Sequence, residues 1–539
     1  MQGDDGWQVS SLLTVGDTIA NTSGSLNATT AGEYTPPGAI DGLGAYARDQ
    51  ETVRVLANHE LRDELGYQYP IDDGNGGNFV LSGARISYVD VDIATRRIVD
   101  AGLAYAAIYD VDGKRATDTS FLPGGGLGFD RFCSGQLVEA ESFAGRGGLA
   151  DRIFFAGEET EDEGITVGGG EWALDPERGE IWHLPDLGRG AWENVTVLDT
   201  GRADQVALLL GDDTPPFDAD GAGTNEAAPL FLYVGTKDPS GDFPARNGLR
   251  GGQLHVWAAV DGSRTPQAFS GSGQLTGQWV EIDNSRRETA ASDHGTTGYD
   301  DFGYPTQPTL WARAAAAGAF GFSRPEDVAT NPIAGNQAVF ASTGRRSYAA
   351  GVDTFGTVYT ITTNFTDMTA ILEIVYDGDA DPKKRLRSPD NLDWSADGFI
   401  YVQEDPAEKE TSMGEPLFGP GAVNPTEAGI VRLNIDGSVI ERIATIDRKV
   451  ILDPSTAGTP FDLRADQPGG WESSGLLDVS VLFGYAPGDL FLFDVEAHGI
   501  RAQSIEHPNG LGPNPDSRID DGDLYEGGQL LFLIAPSGA

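Results

Sequence analysis

The sequence predicts an all-β chain folded as a β-propeller of six or seven blades, with long loops and one short helix in a connection. Three observations carry this expectation. Short strands rich in Val, Ile, Leu and aromatics, each bounded by Gly or Asp, recur along the whole chain. Glycine (73) and proline (30) are abundant without a collagen-like period, as many turns between short strands require. Helical patterning is confined to a single segment.

Taken in order, a first alternating strand spans 84–91, followed by Gly179-Glu180-Ile181-Trp182-His183-Leu184 and Gly252-Gln253-Leu254-His255-Val256-Trp257. The pattern returns at Gly356-Thr357-Val358-Tyr359-Thr360-Ile361, Gly429-Ile430-Val431-Arg432-Leu433, Gly488-Asp489-Leu490-Phe491-Leu492-Phe493 and Gly528-Gln529-Leu530-Leu531-Phe532-Leu533-Ile534. Each begins at a turn residue and continues with residues that favour a pleated, half-buried surface. The exception is 308–317, an Ala-rich run that stops at Gly318 and therefore predicts a short helix with a glycine cap. No linker stands out, so residues 1–539 are expected to form one domain. The stretches 211–227 and 404–428 are expected as loop insertions on one face, where function usually resides.

The 539 residues carry 36 Lys+Arg against 83 Asp+Glu, a formal charge of −47. Such a field repels polyanions, which excludes nucleic acid as a partner unless a basic patch intervenes. The densest positive cluster, Lys383-Lys384-Arg385-Leu386-Arg387, is too short for that. With 39% hydrophobic residues the chain has an ordinary globular composition, so the acids decorate a folded surface or hold cations. No apolar run approaches the ~18 residues of a membrane span. The only cysteine, Cys133, rules out an internal disulfide and a Cys-rich zinc site. The start, Met-Gln-Gly-Asp-Asp-Gly-Trp, shows no signal peptide. A secreted or periplasmic protein whose leader has been removed, and a monomer, are the expected setting and state.

Phosphate-loop, Gly-x-Ser-x-Gly and His-Glu-x-x-His motifs are absent, and Asp218-Ala219-Asp220-Gly221 starts a calcium loop that the following residues do not complete. What remains are polar groups at strand ends: Asn58-His59-Glu60, Cys133-Ser134, Glu158-Glu159, Trp192-Glu193-Asn194, Arg324-Pro325-Glu326-Asp327 and Ser388-Pro389-Asp390-Asn391. In a propeller such ends from separate blades converge. Converging carboxylates repel and are costly to desolvate unless cations neutralise them, so the set implies metal. Oxygen ligands select hard cations such as calcium, whereas a thiolate favours a transition metal.

At these residues the sequence resembles the PhoX family of alkaline phosphatases. Matching points are Asn58-His59-Glu60, Cys133 with the later pair Glu158-Glu159, Leu187-Gly188-Arg189 leading to Glu193, Gly211-Asp212-Asp213, Arg324-Pro325-Glu326-Asp327 and Ser388-Pro389-Asp390-Asn391-Leu392. The resemblance covers roughly residues 50 to 410, in the family's order. It implies a six-bladed propeller with iron and calcium ions, hydrolysing phosphate monoesters through a metal-activated oxygen nucleophile. Carried over, Cys133, Glu158 or Glu159, Glu193, Glu326 and Asp390 resemble metal ligands, and Arg324 resembles the arginine that grips the phosphate. Asn58, Glu60, Asp213, Asn391, Glu472 and His498 are further candidates for metal or supporting roles. Small phosphate esters are the implied substrates. A phosphodiesterase or phosphotriesterase on the same scaffold, and a non-enzymatic calcium-stabilised binding propeller, are the alternatives.

Overall fold

The computed structural model describes residues 1–22, 32–143, 145, 147–160, 167–217, 227–287, 297–348, 353–406, 408–449, 462–501 and 524–536. The chain divides into two compact units. One comprises Met1–Ala106, Leu127–Gly135 and Lys383–Ala539; the other comprises Ala107–Gly126 and Gln136–Pro382.

The first unit contains three blade-like antiparallel sheets. One runs Ile40–Ala47, Thr52–His59, Arg85–Asp92, Arg97–Leu103, in that order across the sheet. The next runs Pro389–Trp394, Phe399–Glu404, Gly429–Asn434, Ile440–Thr445, with Gln2–Gly3 added at its edge. The third runs Glu472–Asp478, Leu490–Arg501, Glu526–Ile534 and is completed by the N-terminal strand Gln8–Thr14, so the two ends of the chain are hydrogen-bonded into one sheet. Leu13, Val53, Val55, Val91, Leu490, Leu492 and Phe532 pack into a common core.

The second unit holds a sheet of Ile153–Glu158, Glu171–Asp175 and Glu180–His183 with Ala107–Tyr109 parallel at its edge. Its nine-stranded sheet consists of two blades of four strands joined by the long strand Gly273–Ile282. The first four are Trp192–Leu198, Gln205–Asp212, Phe231–Thr236 and Gln253–Ala259. The other four are Thr369–Asp377, Thr357–Asn364, Gln337–Ser342 and Pro325–Thr330. Each unit therefore carries three blade-like sheets among the described residues. Gln205–Asp212 is covered on both faces and is buried from Val206 onward, as an apolar run in a middle strand requires.

The expected helix spans Gln307–Ala317 and ends at Gly318, whose φ of 85° is the left-handed conformation that glycine tolerates best. The Gly318 N–H closes the last turn on Ala314 and Ala315 carbonyls. Leu310, Trp311 and Ala314 are buried in the core of this unit. Both expected insertions start later than their sequence suggests, because Gly211 and Asp212 finish one strand and Glu404 finishes another. Residues 218–226, including the Asp218-Ala219-Asp220-Gly221 turn, lie outside the described residues.

Trp311→Ala removes a side chain only 1% exposed, together with its hydrogen bond to Asp212. The expected loss of about 3–5 kcal/mol is measurable as a lowered urea midpoint. Asp353, also 1% exposed, is pushed up to about 7 by burial and by the charges of Asp379 and Asp377. The folded state therefore binds this proton more tightly than the unfolded chain does. Its contribution to stability is complete below about pH 4 and is lost as pH rises toward 7. Asp353→Asn is expected to flatten the pH dependence of the melting temperature in that window, relative to the wild type.

Candidate active site

The leading strands of four blades start alike. Ile40-Asp41-Gly42-Leu43 and Pro389-Asp390-Asn391-Leu392 lie in the first unit; Trp192-Glu193-Asn194-Val195 and Pro325-Glu326-Asp327-Val328 lie in the second. In each, the register shifts across the two middle residues: Ile40 pairs with His59 but Leu43 with Ala57, and the other three follow the same count. One extra residue per strand is a β-bulge, which leaves the middle pair out of the ladder and re-aims its side chains. The strand Glu472–Asp478 has the same shift between Ser474 and Leu477. The freed N–H groups of Val195 and Val328 donate to Asn194 Oδ1 and Asp327 Oδ1, each at 2.7 Å, and Asn194 Nδ2 donates to Asp327.

In the first unit the bulge residue Asp41, fully buried, lies against Cys133, whose thiol donates to Asp41 Oδ2 at 3.0 Å. Ligand atoms of Asp41, Glu60 and Cys133 fall within 4.8 Å of one another. Close backbone approach makes this possible, since a Cβ on Gly42 would sit 2.1 Å from Gly135 N. Asn58 closes the group by donating to the carbonyls of Cys133 and Ser134, both at 3.0 Å, and Asn391 Nδ2 reaches Asp41 Oδ1 at 3.5 Å. The amide oxygens of Asn58 and Asn391 are buried and accept no hydrogen bond. Two further sets share Glu472: one with Asp390 and Asp405, the other with Glu496 and His498. His498 bridges Glu526 Oε1 at 2.9 Å and Glu472 Oε2 at 3.2 Å. Burial would lower its pKa, but the carboxylates of Glu526 and Glu472 push it up to about 10. Glu472 is raised by burial, yet His498 outweighs this and holds the carboxyl below its usual range. Glu496, 3.5 Å from His498 Nδ1, and Asp494 are not held down in this way. Burial and then neighbouring carboxylates push both well up, and neither accepts a hydrogen bond. Glu60 is raised by burial, against the pull of its ion pair with Arg131.

The second unit assembles Glu159, Glu193, Asp213, Arg324 and Glu326, all buried or nearly so, with the Glu158 carboxylate lying instead beside Gly170 and Glu171. Glu158 ends the strand Ile153–Glu158 and accepts from Gly170 N at 3.0 Å. Arg324 precedes the bulge at φ 66°, a left-handed conformation uncommon outside glycine. Thr343 holds the turn at both ends: its N–H donates to Arg324 O at 3.0 Å, and its hydroxyl donates to Glu326 Oε1. Arg324 forms a two-pronged ion pair with Asp213, Nε to Oδ1 at 2.6 Å and Nη2 to Oδ2, and lies 3.4 Å from Glu326. Burial raises Asp213, but Arg324 outweighs it and keeps the carboxyl below its usual range; Glu326 and Glu159 also come within hydrogen-bond reach. A Cβ on Gly211 would meet Glu326 O at 2.0 Å, so this glycine lets the two strand ends approach. Glu171 is buried without a hydrogen bond to its carboxyl and is pushed well up by burial and by Glu158.

Every residue singled out from sequence thus belongs to a buried polar set within its own unit. Sequence reasoning missed Asp41, Asp405, Glu526 and Glu171; the segment Asp494-Val495-Glu496-Ala497-His498 looks site-like in the sequence, but nothing there gives it a firm role. The tetrapeptide of apolar residue or Pro, acid, Asn/Asp/Gly, then Val/Leu would have found Asp41 beside Glu193, Glu326 and Asp390. Asp494 and Glu496 lack that tetrapeptide and sit on the alternating strand Leu490–Arg501. The donor chemistry fits cations: carboxylates and unsatisfied amide oxygens suit hard ions, and the single thiol among carboxylates suits a transition metal.

The fold and these sets define a β-propeller whose buried carboxylates are suited to hold metal ions. A family model for alkaline phosphatase PhoX matches residues 174–445, half of the chain, and the chain belongs to that metal-dependent family of phosphoric-ester hydrolases. Among solved structures, Pseudomonas fluorescens PhoX in complex with vanadate, a transition state analogue, is 14% identical with a TM-score of 0.55, covering 100% of this chain and 97% of that one. That likeness is one of fold. The GH93 α-L-arabinofuranosidase of Fusarium graminearum is 11% identical with a TM-score of 0.35, covering 95% of this chain and 97% of that one. No curated protein matches the sequence. No helix among the described residues is long and apolar enough to cross a membrane.

Metal ligands must be deprotonated, so an ion entering the group of Glu472, Glu496 and His498 would displace the proton that Glu496 retains above its usual range. Adding calcium to the chelated protein in weak buffer at pH 7 is expected to acidify the solution and raise the melting temperature.

Proposed function

We propose that the chain is a phosphomonoesterase in which Cys133, Glu158 or Glu159, Glu193, Glu326 and Asp390 hold ions of calcium and iron and Arg324 binds the substrate phosphate. Asn58, Glu60, Asn391, Glu472 and His498, with Asp41 and Glu496, support the ions or complete their coordination. The observation that carries this reading is the Arg324-Pro325-Glu326 turn. It sets a permanently charged guanidinium beside a buried carboxylate in a chain of the PhoX family. The relative solved with vanadate supports a phosphoryl-transfer reading of the shared fold.

When bound, such ions supply Lewis-acid polarisation of phosphoryl oxygens and lower the pKa of water. The protein's own groups do the rest. The planar guanidinium of Arg324 matches two phosphoryl oxygens and opposes the charge that builds there in the transition state. Its burial, 12% of the side chain exposed, keeps that interaction from being screened by water. Asp213 keeps the arginine from standing as an unpaired buried cation before substrate arrives. Cys133, now donating to Asp41, binds a metal by surrendering that proton. With a formal charge of −47, the protein admits an anionic ester only where cations and Arg324 reverse the local field. The acid excess also suits an exported, secreted or periplasmic setting.

Arg324→Ala is expected to retain its metals and lose about 100-fold in turnover, whereas Glu326→Ala loses metal as well. Elemental analysis beside p-nitrophenyl phosphate hydrolysis, before and after chelation, checks both. Comparing mono-, di- and triesters of one phenol separates the monoesterase from its relatives. Full activity of both variants would contradict the assignment.

A further inference from the structure

We infer that Asp213 is a positioning residue for the phosphatase reaction, fixing the plane of the Arg324 guanidinium that grips the phosphoryl group. The inference rests on the reading of Arg324 as the phosphate-binding residue.

A guanidinium offers two edges able to grip a pair of oxygens, Nε with Nη2 and Nη1 with Nη2. Asp213 takes the Nε–Nη2 edge with both carboxylate oxygens, and Glu326 Oε1 lies 3.4 Å from the same Nη2, so the guanidinium is held at two points and has little freedom to rotate. The backbone at Arg324 is already tethered on each side, by Gly344 N to Ser323 O at 2.9 Å and Thr343 N to Arg324 O at 3.0 Å. What those bonds leave undetermined is the long side chain, whose rotamer entropy would otherwise be paid at each binding event. The Asp213 carboxylate removes that freedom.

Asp213 is in turn anchored from a distance. Its N–H donates to Ala191 O at 2.9 Å. Its neighbour Asp212 accepts from Ala191 N at 3.2 Å, Thr214 Oγ1 at 2.6 Å, Gln307 Nε2 at 2.9 Å and Trp311 Nε1 at 2.7 Å. The helix Gln307–Ala317 thus holds Asp212, and the strand end it holds carries Asp213 to Arg324.

The test uses the metal-loaded protein. Asp213→Asn keeps the side-chain volume but removes the charge and one acceptor. It is expected to lower kcat for p-nitrophenyl phosphate by about 100-fold, as expected of a misplaced catalytic group. Vanadate inhibition should weaken by a similar factor, with iron and calcium contents unchanged. In an Arg324→Ala background the same change is expected to cost nothing further. The idea is overturned if Asp213→Asn loses metal in step with activity, which would make Asp213 a ligand. It is equally overturned if kcat is unchanged, or if the loss is as large without Arg324. A second measurement needs no substitution at Asp213: guanidinium ion should restore turnover to Arg324→Ala, and methylammonium should not, because only the planar ion fits the Asp213 clamp. No rescue, or equal rescue by both ions, sinks the proposal. An Arg324→Ala protein with full turnover and full vanadate sensitivity would instead remove the reading of Arg324 on which this one stands.

Discussion

Carboxylates buried together govern this structure. Taking one acid out of water is costly, and setting it beside others adds repulsion, unless a proton, a cationic side chain or a metal ion neutralises the charge. All three remedies are in place or provided for. Glu496, Asp494 and Glu171 keep protons above their usual range; Arg324 answers Asp213, and His498 answers Glu472 and Glu526. The amide oxygens of Asn58 and Asn391 remain buried without a hydrogen bond, a cost that an oxygen-seeking cation would offset.

The fold concentrates acids by a repeated backbone device. A one-residue bulge near the start of a leading strand turns two adjacent side chains out of the ladder, and at two of the bulges the residue after the acid, Asn194 or Asp327, accepts from the N–H that the bulge releases. The rigid ladder behind each bulge holds the acid in place, which a mobile loop could not do at comparable precision. Where Gly475 stands in place of an acid, its missing Cβ leaves room for Asp494 from the next strand, whose Oδ2 would lie 2.4 Å from it. Acid supply is therefore maintained from a different strand. A similar economy governs the arginine: the left-handed turn at Arg324, the Thr343 tether and the Asp213 pair each constrain a different part of one residue.

Much of this was legible in the chain. Every strand named from alternation and turn residues is present, and the Ala-rich run closed by Gly318 is the helix it was expected to be. Glu193, Glu326 and Asp390 could be picked out because each follows a turn signal and precedes an apolar strand. Asp41 follows the same rule but was hidden by the small residues around it. Asp494 and Glu496 looked site-like but could be given no role, because on an alternating strand an acid at every second position is also the usual mark of a solvated face, and only the neighbouring strand decides that this face is buried.

By itself, the sequence determined the strands, their turns, the helix, the strongly acidic balance and the family to which the chain belongs. These depend on local periodicity and on the chemical identity of side chains. Tertiary structure alone decided which acids share a site. Cys133 meets Asp41 from 92 positions away, and Asn391 reaches the same aspartate across 350. Strand alternation specifies the face on which a side chain lies, but not the strand that will lie opposite, and a bulge reverses even that face with one added residue.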